Sequence, residues 1–287
     1  MIWDALIACY LFLAGMGAGA FALGAIAGWG KDPAPTMKKV GFIVGPVAVA
    51  VGTLLLVVDA HAGLQNPLRF FYLITNLNSV MAWGVIILSV FLVVAVIDLT
   101  LLLVKKETPK WLDGIGVALA LCVAAYTGVL LSSLASVTAY QTPLLPAVFT
   151  LSSASCGLAC VFAALVFVES RHAYVRTLGA LSGADTVVVA AEAAALAAYV
   201  AWMAQAPGAR AAADALLAGE MAPLFWGGLV AVGLAAPLVL ERFLTHGNAR
   251  TQLLWASGCL LAGGLALRLC AVGLAAYDVT QMPELAF

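Results

Sequence analysis

The strongest constraint in this sequence is a series of eight apolar stretches, each long enough to cross a lipid bilayer as a helix. A spanning helix needs about 20 mostly apolar residues. Only 9% of the residues are charged and 64% are hydrophobic, whereas soluble domains carry about 25% charged residues. We therefore predict an all-α integral membrane protein with eight transmembrane helices. The stretches are approximately 5–29, 40–60, 80–104, 112–139, 147–169, 184–205, 224–244 and 252–277.

The distribution of Lys and Arg predicts the orientation. Ten of the 13 basic residues lie in or beside the first, third, fifth and seventh loops: Lys31, Lys38, Lys39, Lys105, Lys106, Lys110, Arg171, Arg176, Arg242 and Arg250. The other loops hold only Arg69 and Arg210. Because basic loops stay in the cytoplasm, we expect both termini and the loop 61–79 to lie outside.

The two halves of the sequence resemble each other weakly. The stretch 79–84 opens the third apolar run, and the similar stretch 222–227 opens the seventh. A shift of four helices preserves orientation, which favours two parallel four-helix bundles over 1–140 and 141–287. A general bias toward Ala and Gly would produce the same similarity, so both interpretations stay open at this point.

Ionisable residues are costly at membrane depth and often mark functional sites. With a helical rise of 1.5 Å per residue, Arg268 lies about 24 Å from the cytoplasmic end of its run and Glu192 about 13 Å. Tyr126, Asp59 and His61 fall in the same outer layer as Arg268, so Glu192 is expected about 10 Å deeper. Arg268 and Glu192 are either functional or a structural ion pair.

Other charged residues lie near the predicted cytoplasmic ends of the runs, where long side chains reach water. We expect these to be solvated: Asp98, Glu169, Asp185, Glu241 and Arg242.

The sequence also argues against several kinds of site. The three histidines, His61, His172 and His246, lie in or beside loops, whereas a membrane haem needs axial ligands at depth. The six cysteines lie inside apolar runs, as expected of packing residues. We therefore expect no haem, metal or iron-sulfur cluster in this protein. The net charge of −1 likewise argues against a nucleic-acid partner.

Several motifs, in order along the sequence, together resemble those of one membrane-protein family. They are YLFLAGMGAGAF at 10–21, DAHAGLQNPLRF at 59–70, NSVMAWG at 78–84, YTGVLL at 126–131, PLLPAVF at 143–149, SSASCG at 152–157 and GGLALR at 263–268. This set resembles the NrfD/PsrC family, the quinone-reactive membrane subunits of bacterial molybdenum and iron-sulfur respiratory complexes. The second loop departs from the common pattern and is closer to the related DMSO-reductase anchors.

The resemblance implies a quinone or menaquinone substrate bound in the outer half of the first bundle. It also implies two partners on the outer face, a four-cluster ferredoxin-like iron-sulfur subunit and a molybdopterin catalytic subunit. The expected location is the cytoplasmic membrane of a bacterium or archaeon.

Quinol chemistry suggests roles for the residues in these motifs. Tyr126 is a candidate ligand of one quinone oxygen, and His61 or Asp59 a candidate proton acceptor. Further quinone-binding candidates are Tyr10, Gly15, Gly19, Arg69 and Arg268, and Glu192 is a candidate for the proton path. The small glycines would let a flat ring approach the backbone.

Two other functions are compatible with the residues. The protein would be a passive anchor if it only docked a catalytic partner. It would be a transporter or channel if Arg268 and Glu192 lined a substrate route. Binding of a quinol analogue distinguishes both from a quinone-reactive subunit.

The charge distribution makes a testable topology prediction. A reporter enzyme that is active only outside the cytoplasm should be active when it is fused within 61–79. The same reporter should be inactive when it is fused within 105–110. A cytoplasmic location for 61–79 would contradict the predicted orientation.

Overall fold

The computed structural model describes residues 5–29, 34–59, 79–105, 107–168, 171–242 and 249–278. These residues form helices and turns, with no strand among them. The helices are α1 (Ala5–Ala27), α2 (Pro35–Asp59), α3 (Val80–Lys105), α4 (Lys110–Ser132), α5 (Leu144–Val168), α6 (Arg171–Gln205), α7 (Arg210–Leu217), a π-helix (Pro223–Ala235) that continues into α8 (Ala236–Arg242), and α9 (Ala249–Asp278).

Eight helical segments in the described ranges are long and apolar enough to cross a membrane. Four of them are the whole of α1, α3, α4 and α5, and two more are the greater part of α2 and of α9. The remaining two are Asp185–Gln205 within α6 and Pro223–Leu240, which is formed by the π-helix and α8. The prediction of an all-α protein with eight spans is confirmed. The orientation of the termini stays a prediction.

Two segments differ from the predicted runs. The fourth run was expected to continue to 139, but α4 ends at Ser132 and a short 3₁₀ turn follows at Thr138–Tyr140. The hydroxyls of Ser132 and Ser133 bond to carbonyls of the preceding turn at 3.1 and 2.7 Å, and such side chains compete with the backbone for helical hydrogen bonds. The short helix α7 has only 8 residues, too few to be found by a search for spans.

Helix α1 lies at the centre of the first four spans and packs against α2, α4 and α5, with further contacts to α9. Its side toward α5 is made of small residues. A side chain added at Gly19 would overlap the backbone carbonyl of Ser153, and one added at Gly157 would overlap the backbone of Gly19. The two backbones therefore touch, as expected where small residues let membrane helices approach closely.

The contact between α1 and α5 joins the two predicted halves of the protein across the boundary at residue 140. The division into bundles at 1–140 and 141–287 stays a prediction. The contact itself means that residues from α1, α5 and α9 share one buried region.

The backbone contact predicts a strong asymmetry among glycine substitutions. Gly157→Ala should lower stability by about 1–3 kcal/mol, because the added methyl group overpacks the contact with α1. Gly258→Ala is the matched control in α9, since a methyl group there meets nothing within 4 Å. Gly258→Ala should leave the stability unchanged or raise it by up to about 1 kcal/mol, since Ala favours a helix. Thermal unfolding of both variants in one detergent checks this, and equal effects would contradict it.

Candidate functional site

Two tyrosines from α1 and α4 meet in the first half of the protein. Tyr10 is fully buried, and its hydroxyl has no hydrogen-bond partner among the described residues. Tyr126 is 6% exposed and belongs to the same apolar core as Tyr10. Buried phenol hydroxyls usually find a partner, so an unpaired one marks a place where a ligand oxygen would be favourable.

The ring of Tyr126 lies directly on the backbone of α3. A side chain added at Gly84 would overlap the phenol ring and its hydroxyl. Gly84 therefore provides the space that Tyr126 occupies. The motif at 78–84 was noted in the sequence, but the contact of its last residue with Tyr126 was not predicted.

Arg268 of α9 is fully buried. Its Nη1 donates to Ser152 Oγ at 2.6 Å and to the Gly264 carbonyl at 2.9 Å, and Nη2 donates to Ser153 Oγ at 3.2 Å. The guanidinium also lies 5.2 Å from the ring centre of Phe149, where the aromatic face favours a cation. Hydrogen bonds from α5 and α9 thus hold the charge inside the protein.

Glu192 of α6 binds the same part of α5. It is 4% exposed and accepts a hydrogen bond of 2.6 Å from Ser155 Oγ. Ser152 and Ser155 are three residues apart and so share one face of α5. Within the described ranges Arg268 and Glu192 form no direct ion pair. Instead, Ser152 accepts from Arg268 and Ser155 donates to Glu192, one helical turn further along α5.

The side chains of Glu192 and Arg268 reach neighbouring turns of α5. The sequence predicted about 10 Å between the depths of the two residues, and that separation of their backbone positions stays a prediction. A residue count gives the position of the Cα atom along a straight helix and does not include the reach of a long side chain.

The two glycines predicted to border a quinone lie beside this network. A side chain added at Gly15 would overlap Ser153 Oγ and come within 3.2 Å of Arg268 Nη2. Gly19 touches the backbone of α5 one turn further along. Their proximity to a quinone stays a prediction.

Three predicted site residues cannot be placed relative to Tyr126. His61 and Arg69 lie outside the described residues, and the same holds for the side chain of Asp59, which ends α2. Their roles stay predictions.

The expectation that Asp98 and Asp185 are solvated is wrong, since they are 0% and 1% exposed. A position near the end of an apolar run does not expose a side chain when neighbouring helices extend past it.

Within the described helices, no three His, Cys, Asp or Glu side chains come together as a metal-binding group. The polar groups that do meet are hydroxyls, one guanidinium and single carboxyls. Such groups can donate and accept hydrogen bonds and hold or move protons.

The comparisons with known proteins agree on one family. Residues 1–276 match the family described as polysulphide reductase, NrfD. The sequence is 34% identical to the polysulfide reductase C subunit of Wolinella succinogenes, over 93% of this protein and 92% of that one. It is 30% identical to protein NrfD of Escherichia coli, over 93% of each. It is 27% identical to a protein NrfD homolog of Haemophilus influenzae, over 85% of this protein and 84% of that one.

The serine network predicts that Ser152 supports the buried charge. Ser152→Ala should lower stability by about 1–3 kcal/mol, because it leaves Nη1 of Arg268 with one acceptor fewer. Ser132→Ala is the control, since that hydroxyl bonds to Gly128 O of its own helix, and should change stability by less than about 0.5 kcal/mol. Denaturant unfolding in one detergent measures both. If Ser152→Ala left the free energy of unfolding unchanged, the hydrogen bond to Ser152 would not be needed to hold the guanidinium group in place.

Proposed function

This protein belongs to the polysulphide reductase, NrfD family, and on that premise we propose that it is the subunit of its complex that binds quinol or quinone. Membership and the long alignments make it a membrane subunit of a respiratory oxidoreductase. The single observation that supports a quinone site here is the unpaired hydroxyl of Tyr10 in the apolar core that also contains Tyr126.

The phenols suit both redox forms of the substrate. A phenol hydroxyl donates to a quinone carbonyl oxygen and accepts from a quinol hydroxyl. Apolar helix faces surround the pair, which agrees with the requirement for an apolar slot with a few polar groups. In the proposed complex, Tyr126 binds one oxygen of the ring, and Tyr10 supports that end of the site from α1.

Oxidation of a quinol releases two electrons and two protons, so the site needs an exit for each. We assign the electrons to an iron-sulfur subunit on the outer face, as the family resemblance implies. His61 and Asp59 remain the proposed proton acceptors, and Arg69 a proposed ligand. The name of the Wolinella succinogenes relative, one lettered subunit of polysulfide reductase, supports the general arrangement of several subunits. A molybdopterin subunit belongs to the same proposal.

Arg268 and Glu192 have a less direct place in this proposal. Both terminal nitrogens of Arg268 already donate to α5 and α9. We therefore propose that Arg268 acts on the site through its charge and through the position of Gly15. Glu192 remains the proposed proton-path residue, with Ser155 as its hydrogen-bond partner.

The phenol pair predicts the effect of a hydroxyl deletion. Tyr126→Phe in the assembled complex should weaken binding of a quinol analogue about two- to tenfold, which corresponds to one lost hydrogen bond of about 0.5–1.5 kcal/mol. Turnover at low quinol concentration should fall by a similar factor. Titration of the purified complex with the analogue measures the affinity.

Tyr199→Phe is the matched control for this experiment. The Tyr199 hydroxyl donates to Ala139 O at 3.0 Å, on a different pair of segments from the tyrosines of the site. Its loss should lower stability slightly and leave the affinity unchanged. Unchanged affinity in both Tyr126→Phe and Tyr10→Phe would move the quinone site elsewhere. No binding by the unaltered complex would favour a passive anchor.

A further inference from the structure

Asp98 of α3 is the most unusual polar group outside the site described above. It is fully buried, and neither oxygen of its carboxyl group has a hydrogen-bond partner among the described residues. Burying a carboxylate without a partner is costly, so burial favours the neutral acid over the carboxylate. Acids of this kind within membrane helices often belong to proton routes.

A polar cluster lies one helical turn away on α4. A side chain added at Gly116 would come within 3.3 Å of Asp98 Oδ2, which places the carboxyl group against this turn. Asp113 lies three residues earlier on the same face. It accepts hydrogen bonds from Lys38 Nζ and Thr108 Oγ1, each at 2.6 Å, and from Trp29 Nε1 at 3.3 Å.

This cluster extends from the protein surface toward the buried acid. Lys38 also donates to Thr108 Oγ1 at 2.5 Å, and its side chain is 12% exposed, whereas that of Asp113 is fully buried. The residues lie beside the first and third loops, which the basic residues predict to be cytoplasmic. A continuous set of polar side chains therefore runs from the surface at Lys38 to within one turn of Asp98.

Aromatic rings pack close to the same position. A side chain added at Gly116 would also approach Phe21 Cε1 to 2.6 Å. Phe21 stacks on Phe42, with ring centres 4.6 Å apart, and meets Phe91 edge-on at 5.4 Å. The surroundings of Asp98 are therefore apolar on the side of α1.

The charged groups that act on Asp98 come from the two helices packed against α3. These groups are Lys38 from α2 and Asp113 from α4, and α1 contributes the phenyl ring of Phe21. In this structure Lys38 pairs with Asp113 and makes no hydrogen bond to Asp98. A shift of the ammonium group toward Asp98 would stabilise the carboxylate and release the proton of the acid.

We propose that Asp98 is a proton-exchange site at the inner end of a short polar path that opens beside Lys38. In the uptake step, a hydronium ion at the surface gives its proton to the path. One O–H bond breaks there and one forms on Asp98, which becomes neutral, and release is the reverse. No oxidant or reductant takes part. Proton exchange at Asp98 does not depend on the proposed quinone site. Only a link between this exchange and quinone oxidation or reduction rests on the proposed function.

The test is infrared spectroscopy of the assembled complex, which detects the carbonyl stretch of a protonated carboxylic acid. The unaltered protein should show such a band, and the band should shift after transfer to heavy water. The buried carboxyl group of Glu192 can contribute to the same region of the spectrum, so the difference spectrum between the unaltered complex and Asp98→Asn is measured. It should show the loss of one component of the band. Glu107→Gln is the matched control, because Glu107 is exposed beside the same loops, and it should leave the band unchanged.

A second pair of variants tests the path. Lys38→Gln should slow the shift in heavy water, and Lys38→Arg should restore the original rate because it keeps the cation. If Asp98→Asn does not assemble, Asp98→Glu should move the band to a different frequency. A difference spectrum in which Asp98→Asn loses no component of the band, or a lost component that does not shift in heavy water in the unaltered protein, would overturn the proposal.

The infrared measurement needs no quinone, so its outcome is separate from that of the proposed function. Where the complex does bind the quinol analogue, Asp98→Asn should keep that affinity. The reason is distance, since Asp98 packs near Gly116, and Tyr126 lies about 15 Å further along α4. The same variant should lose quinone-linked proton exchange on the side of Lys38. Unchanged proton exchange would overturn the path.

Discussion

The contact between α1 and α5 is the interaction on which the rest of the structure depends. In a membrane the hydrophobic effect does not drive helices together, because lipid tails are as apolar as the helix surfaces. Close packing and hydrogen bonds must therefore hold the helices together. One side of α5 provides both. Gly157 lets the backbone of α1 touch α5, and the serines at 152, 153 and 155 bind charged groups that come from α9 and α6. The same few turns therefore join elements from both halves of the protein.

The positions along α1 separate the two proposed sites along the helix. Tyr10 lies near one end, and Phe21 lies 11 residues further on, which corresponds to about 16 Å along the helix. The phenols belong to the first region and the buried acid Asp98 to the second. Between them lie the close backbone contacts with α5 and the hydrogen-bonded group of Arg268 and Ser153 at Gly15. A quinone site at the tyrosines and a proton site at Asp98 would thus face opposite aqueous sides.

The groups without partners carry the functional argument. Most buried polar atoms in proteins are hydrogen-bonded, so each exception needs an explanation. Among the described residues, the hydroxyl of Tyr10 and both oxygens of Asp98 are unpaired, as are Nε of Arg268 and Oε1 of Gln252. Hydrogen bonds nevertheless hold the charged groups of Arg268, Glu192 and Asp113. The bonded charges hold helices together. An unpaired group is free to bind a ligand or a proton. Burying it without a partner costs folding stability, and function is proposed at two such positions, Tyr10 and Asp98.

The sequence by itself determined the eight spans, the all-α fold and the family, because apolar length and ordered motifs are local properties of the polypeptide. It also singled out Tyr126, Arg268 and Glu192 as polar residues at depth. Only the tertiary structure decided which of them meet. The spans are apolar on nearly every side, so no polar stripe shows which face of a helix points inward. The contact of Tyr126 with Gly84, the shared serines of Arg268 and Glu192, and the burial of Asp98 all depend on how each helix is rotated and tilted against its neighbours.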